Sequence, residues 1–146
     1  MNIQFAPTAA DDADTLVALR IAAMRDSLER IGRFDPERAR ARFLSAFAPE
    51  HCRFIVADGT RVGFAQVRPN DGHLALEHFY IAPAHQGKSI GSAALRMIAA
   101  DADARSLDLH VGALRGSDSN RFYQRHGFAQ TGEDEWDIYY VRRRAG

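Results

Sequence analysis

The stretch LALEHFYIAPAHQGKSIG, residues 74–91, decides the fold. Its first eight residues are mostly apolar or aromatic and predict a β-strand that ends at Ile81. Ala82-Pro83 interrupts that strand, and a helix is predicted from Gly87 to about Ala104. Residues 107–111 then alternate between apolar and polar side chains, which is typical of a half-buried strand. The stretch therefore begins a strand–helix–strand crossover.

Turn signals upstream of this stretch predict a meander of three strands. Asp58-Gly59 separates two apolar runs and is a strong hairpin signal, and Pro69-Asn70-Asp71-Gly72 is a second turn. A short strand at 1–6 and two helices precede the meander. A short helix at 117–126 and a hairpin over 128–141 follow the crossover. The order β-α-α-β-β-β-α-β-α-β-β predicts a mixed α/β fold with helices on both faces of the sheet.

Two apolar stripes at helical spacing predict which helix faces are buried. The first lies on the helix before Gly32, and the second on the crossover helix. Their members are Val17, Ile21, Met24, Leu28 and Ile31, and then Ile90, Ala94, Met97 and Ile98.

Composition limits the classes of protein that fit. The 146 residues suit a single domain, and 19 basic against 19 acidic side chains give no net attraction to nucleic acid or an anionic membrane. One cysteine, Cys52, excludes an internal disulfide, and the six histidines lack metal-ligand spacing, so no metal site is expected. Without a signal peptide or long apolar run, we expect a cytoplasmic protein, either a monomer or a homodimer.

The loop from Gln86 to Gly91 has the features of an anion site. Unpaired N–H groups and the positive end of the dipole meet at a helix start, and Lys88, the chain's one lysine, adds a cation there. The same residues also suit an ordinary helix start with glycines for packing. Physical features alone leave these two interpretations equal.

Three segments resemble the GNAT superfamily of acetyl-CoA-dependent N-acetyltransferases. Residues 86–91 look like its pyrophosphate loop, with Ser89 where the family prefers glycine. Residues 76–83 resemble its central strand, and residues 120–128 its closing Phe-Tyr and Gly-Phe motif, with Gly116 where the family often has asparagine. The resemblance covers residues 53–128 and implies a mostly antiparallel sheet of six to seven strands, with a splay between the strands that end at Ile81 and Val111.

The resemblance implies a single N-acetyltransferase domain over residues 1–146, with Glu77 as base and Tyr123 as the acid that protonates the leaving thiolate. Each has an alternative: an ion pair with an arginine for Glu77, and a core position beside Phe122 for Tyr123. His78 is a weaker candidate base. The implied acetyl-CoA contacts, which include backbone bonds of Phe79 and Ile81 to the pantetheine arm, are Phe79, Tyr80, Ile81, Gln86, Gly87, Lys88, Ser89, Ile90, Gly91, Ser92, Asn120 and Tyr123.

The implied reaction moves an acetyl group to a primary amine of a small molecule or peptide by direct attack in a ternary complex. An N-terminal arginine cluster is a candidate site for an acidic acceptor, although pairing with nearby acidic residues explains it equally well: Arg25, Arg33, Arg40 and Arg42. Two other functions stay open. One is a non-catalytic acyl-CoA sensor or interaction module. The other is a nucleotide-binding loop, which the segment from Ala82 to Ser89 nearly fits.

Overall fold

The computed structural model describes residues 1–145, and its elements follow the predicted order, with three short 3₁₀ helices at Ala10–Asp12, Pro49–His51 and Pro83–His85. The strands and helices are β1 (Ile3–Pro7), α1 (Ala13–Arg30), α2 (Pro36–Ala46), β2 (Cys52–Ala57), β3 (Thr60–Asn70), β4 (His73–Ile81), α3 (Ile90–Ala104), β5 (Asp108–Leu114), α4 (Ser119–Arg125), β6 (Ala129–Glu133) and β7 (Asp137–Arg142).

The seven strands form one mixed sheet in the order β1-β2-β3-β4-β5-β7-β6. The pairs β1–β2, β2–β3, β5–β7 and β6–β7 are antiparallel, whereas β4 and β5 are parallel, as a crossover requires. The predicted mixed α/β class and mostly antiparallel sheet are therefore confirmed.

The parallel register of β4 and β5 covers the first residues of both strands, from His73 opposite Asp108 to Leu76 opposite Val111. Beyond this register, β4 continues to Ile81 and β5 to Leu114. The splay expected from the resemblance concerns those later residues and stays a prediction.

Two-residue turns set the hairpins of the meander. Asp58 and Gly59 have φ values of 49° and 84°, and Asp71 and Gly72 have 38° and 83°. Positive φ at both central residues is the type I′ geometry that suits the twist of antiparallel strands. The second turn is shorter than predicted, because β3 runs through Pro69 to Asn70.

The described chain divides into two compact units. The first comprises Met1–Gln66 and His78–Gly91, and the second comprises Val67–Glu77 and the residues from Ser92 onward. The core of the first unit contains Leu16, Val17, Phe43, Cys52, Phe54 and Phe64. Buried residues of the second unit include Leu74, Leu95, Leu109 and Tyr140. The expectation of one domain over residues 1–146 stays a prediction.

Two residues of the predicted apolar stripes are exposed, so their predicted burial was wrong. Ile31, beyond the end of α1, is 37% exposed, and Met97 on α3 is 43% exposed. Leu95 is buried on α3 instead, together with Ala94 and Ile98. Among the helices of residues 1–145, none is long and apolar enough to cross a membrane.

Candidate functional site

Residues 86–89, in the loop between β4 and α3, are exposed and lie just before a 15-residue helix. The helix was predicted to begin at Gly87, but it begins at Ile90. The reason is that Gly87 and Ser89 have φ values of 77° and 65°. Such left-handed residues cannot continue a right-handed helix. A Cβ at Gly87 would have no atom within 4 Å, so one side of the loop is open. This arrangement suits an anion, which the N–H groups of the first helical turn would bind.

Side chains of the loop have different surroundings. The Gln86 Nε2 atom donates to the Ile81 carbonyl at 2.9 Å, which ties the loop to the end of β4. Lys88 is exposed, so its ammonium group adds positive charge at the loop surface. Ser89 has a left-handed backbone conformation, which glycine adopts more easily than serine. This explains why glycine is preferred at this position in the family that the loop resembles.

The end of β4 directs alternate backbone groups to opposite sides. The Ala82 N–H donates to the Val62 carbonyl at 2.8 Å, and the Tyr80 carbonyl lies against Gly63. Both contacts are with β3. Since successive residues of a strand point their backbone groups in opposite directions, those of Phe79 and Ile81 face away from β3.

Glu77 forms an ion pair with Arg68, at 2.9 Å between Oε1 and Nε. Arg68 lies on β3 and Glu77 on β4, and their side chains are 35% and 28% exposed. The arginine pairing considered for Glu77 is therefore present. The role of Glu77 as base stays a prediction.

His78 lies among aromatic side chains of the first unit. Its ring centre is 5.0 Å from that of Phe43 and 6.0 Å from those of Phe64 and Tyr80. His78 is thus packed among aromatic rings, and its role as an alternative base stays a prediction.

Tyr123 is 5% exposed and lies on α4. Its ring packs against Phe122, Phe128 and Tyr140, with ring centres 5.5, 5.3 and 6.3 Å away. The core position considered as its alternative is therefore observed, and a buried phenol can still act on a group brought to its hydroxyl.

Asn120 uses its amide within the second unit. Its Nδ2 atom donates to the carbonyls of Leu114 and Ser117 at 2.9 and 3.0 Å, and its Oδ1 atom accepts from the Tyr140 hydroxyl at 2.8 Å. These bonds link α4 with the end of β5 and with β7. A cofactor contact of Asn120 would have to use the remaining lone pair of Oδ1.

Ser92 and His126 are joined at 3.0 Å between Oγ and Nε2. Burial is the main cause that lowers the pKa of His126, and the nearby cations Arg96 and Arg125 lower it further. The neutral imidazole is therefore favoured at pH 7, and it can accept from the Ser92 hydroxyl.

Cys52 is 1% exposed, and burial raises the pKa of its thiol to about 11. A thiol with that pKa stays protonated at pH 7 and is a poor nucleophile. Within residues 1–145, no group of three or more histidine, cysteine, aspartate or glutamate side chains is arranged to hold a metal ion.

Two arginines of the first helices form ion pairs. Arg25 bonds Glu29 at 2.8 Å and Arg40 bonds Asp14 at 2.6 Å, all with exposed side chains. Arg20, which sequence reasoning missed, differs from both because its side chain is partly buried. It lies one turn beyond Leu16 and Val17 on the buried face of α1, so its spacing from them was the available signal.

The sequence matches the family model described as the acetyltransferase (GNAT) family over residues 19–128. No curated protein sequence matches the chain.

Solved structures of similar fold include three acetyltransferases. The PaiA N-acetyltransferase from Thermoplasma acidophilum, in complex with coenzyme A, has a TM-score of 0.78 at 17% identity over 98% of this chain and 99% of its own. An acetyltransferase from Thermus thermophilus has a TM-score of 0.75 at 19% identity over 97% of both chains. A GNAT acetyltransferase from Bacillus cereus has a TM-score of 0.68 at 14% identity over 100% of both.

Proposed function

The chain belongs to the acetyltransferase (GNAT) family, and on that premise we propose that it transfers an acetyl group from acetyl-CoA to a primary amine of a small molecule or peptide. Family membership makes it an acyltransferase. The donor, the class of acceptor and the direct mechanism in a ternary complex are the proposal, as is one catalytic domain over residues 1–146.

The open loop before α3 is the observation that carries the proposal. Two exposed left-handed residues, Gly87 and Ser89, lead the chain to the start of α3. The diphosphate of acetyl-CoA is a dianion that such N–H groups bind well. We assign its binding to the segment Gln86–Ser92, in which the Gln86 side chain holds the loop in place and Lys88 supplies charge.

The donor's pantetheine arm is assigned to the end of β4. An amide-containing arm can bond an exposed strand as an added strand would. The backbone groups of Phe79 and Ile81 face away from β3, which supports this role for both residues. Tyr80 contributes through its side chain, because its carbonyl is directed to β3. Asn120 contributes mainly by positioning α4.

In the proposed reaction, the uncharged amine nitrogen attacks the thioester carbonyl carbon. The new C–N bond forms, the C–S bond breaks, and an N–H group at the end of β4 stabilises the developing oxyanion. Glu77, directly or through water, takes the proton that the amine loses. Tyr123 gives its phenolic proton to the departing thiolate, whose pKa of about 8.5 lies below the value of about 10 for a phenol, so the transfer needs direct hydrogen bonding.

Release of free thiol from acetyl-CoA with a panel of amines tests the activity. We expect release with at least one amine, and we expect Tyr123→Phe to lower kcat by about 10²-fold or more while the Kd for CoA changes little. Equal losses in kcat and CoA affinity would refute the acid role. A protein that binds CoA but releases no thiol with any amine would be a sensor rather than an enzyme.

A pair of variants tests the phosphate loop. Asp and Asn have almost the same size and both tolerate a left-handed backbone, so Gly87→Asp and Gly87→Asn differ mainly in charge. We expect the Asp variant to bind CoA at least tenfold more weakly than the Asn variant, since its carboxylate would face the diphosphate. Equal affinities of the two variants for CoA would show that the diphosphate does not bind at this loop. CoA should also raise the Tm of the native protein, whereas ATP with Mg²⁺ should not if the nucleotide-binding alternative is wrong.

A further inference from the structure

Arg20 holds a guanidinium group between two helices and a strand of the first unit. Its Nη1 atom donates to the Ala39 carbonyl on α2 at 3.1 Å. Its guanidinium carbon lies 6.0 Å from the centre of the Tyr80 ring on β4. Its Nε atom is shielded from solvent and has no hydrogen-bond partner among residues 1–145.

This cation has no carboxylate partner in the part of the chain that the structure describes. Two exposed arginines of the same helices differ in this respect, because Arg25 pairs with Glu29 and Arg40 with Asp14. A guanidinium has five N–H donors, and the bond to Ala39 occupies one. A partly buried cation with unused donors is costly to keep unless something pairs with it.

Arg20 lies near the part of β4 to which the donor's arm was assigned. Tyr80, whose ring it contacts, lies between Phe79 and Ile81, and the backbone of these two residues was assigned above to the donor's arm. A group bound beside the Tyr80 ring would therefore lie close to the donor, on the side of β4 that faces α1 and α2.

We infer that the acceptor is an amino acid or a similar amine with a free carboxylate, and that Arg20 pairs with this carboxylate. Arginine is suited to the task, because two of its N–H groups can bind the two oxygens of one carboxylate. The paired and exposed cluster of Arg25 and Arg40 is not needed for it. This inference rests on the proposed function, since it names the acceptor of that reaction.

The experiment uses product analogues, so that it does not depend on turnover. N-acetyl derivatives of the common L-amino acids are compared with the same compounds as C-terminal amides, which lack only the carboxylate charge. Their Kd values for the protein saturated with CoA are measured by calorimetry. We expect at least one acid to bind tenfold or more tightly than its amide. Acids and amides of equal affinity, or no binding by any acid at 10 mM, would overturn the inference.

Variants then test the role of Arg20 itself. We expect Arg20→Gln to remove the preference for the acid, and Arg20→Lys to keep part of it, because lysine retains charge without the two-pronged geometry. Arg25→Gln, on the same helix and exposed, should keep the full preference. A preference retained in Arg20→Gln overturns the inference. If Arg20→Gln fails to fold, an undiminished preference in Arg20→Lys does so.

Failure of the proposed function can be recognised separately. The wild-type protein could prefer the acids, and the Arg20 variants could lose that preference, while no thiol is released from acetyl-CoA. This result would support the carboxylate site and refute the proposed reaction. Amines that lack a carboxylate could instead give thiol release with the same kcat/KM as amino acids. This result would support the proposed reaction and overturn the role of Arg20.

Discussion

Replacement of Gly63 by alanine is expected to disturb the end of β4 where the donor's arm is proposed to bind. A Cβ at Gly63 would overlap the Tyr80 carbonyl oxygen and lie 3.0 Å from both the Tyr80 carbonyl carbon and the Ile81 Cα. Ordinary contacts begin at 3.4 Å, so these backbone atoms would have to move, the oxygen by roughly 1 Å or more. No flexible side chain can give way, because every atom involved belongs to the backbone.

The loss of folding free energy can be estimated from overpacked cores, in which extra methylene groups cost about 1–3 kcal/mol. For a chain of this size, a loss of about 2 kcal/mol lowers Tm by roughly 4–8 °C. We therefore expect Gly63→Ala to lower Tm by that amount. We also expect CoA affinity to fall at least tenfold, because the shift displaces the backbone of Phe79 and Ile81.

Thermal unfolding and CoA calorimetry check both effects. Gly132→Ala is the matched control, since Gly132 is also a strand glycine but has no atom within 4 Å of the added carbon. It should change Tm by less than about 2 °C. If Gly63→Ala unfolds at the wild-type temperature and binds CoA with the wild-type Kd, then β4 does not depend on this close approach and the reasoning is refuted.

Two further predictions concern stability. Ser89→Gly should stabilise the fold by about 0.5–1 kcal/mol, measured by urea unfolding, because glycine adopts the left-handed conformation at φ 65° without strain; a loss of stability would contradict this. A bidentate bond from Arg142 and the Ala145 N–H lower the pKa of Asp103 to about 2 in the folded state. Since this lies below the unfolded value of 3.8, the stabilisation is present above pH 4 and is lost as the pH falls towards 2. Asp103→Asn should thus lower Tm at pH 7 and match the wild type near pH 2. Asp101→Asn, which removes only an exposed pair with Arg105 at 3.5 Å, is its control and should change Tm little. A Tm difference for Asp103→Asn that is independent of pH would exclude its ion pair as the cause.

Features set by neighbouring residues were predictable from the sequence. The hairpin at Asp58-Gly59 follows from two residues that tolerate positive φ, and the element order follows from such turns and from changes in apolar period. The start of α3 was misplaced by three residues, because serine gives no local sign that it will adopt the left-handed conformation at position 89.

Features set by contacts between distant segments were not predictable in the same way. Arg20 stands out only once α2 and β4 are placed beside α1, since its contacts, Ala39 and Tyr80, are far from it in the chain. The partner of Glu77 could be named only as one of many arginines, because nothing local in the sequence singles out Arg68, nine residues away on another strand. The roles of Glu77 and Tyr123 came from the resemblance and stay predictions.

The hydrogen bonds of Asn120 have a consequence for the order in which the parts of this protein fold. Helix α4 has seven residues, which is too short to persist alone in water, and Asn120 anchors it to the Tyr140 hydroxyl on the last strand of the sheet. During synthesis, Tyr123 would therefore reach its place only after β7 has left the ribosome and paired. A nascent chain that ends before Asp137 would already contain the loop proposed to bind the diphosphate, but the proposed proton donor Tyr123 would not yet be held in place.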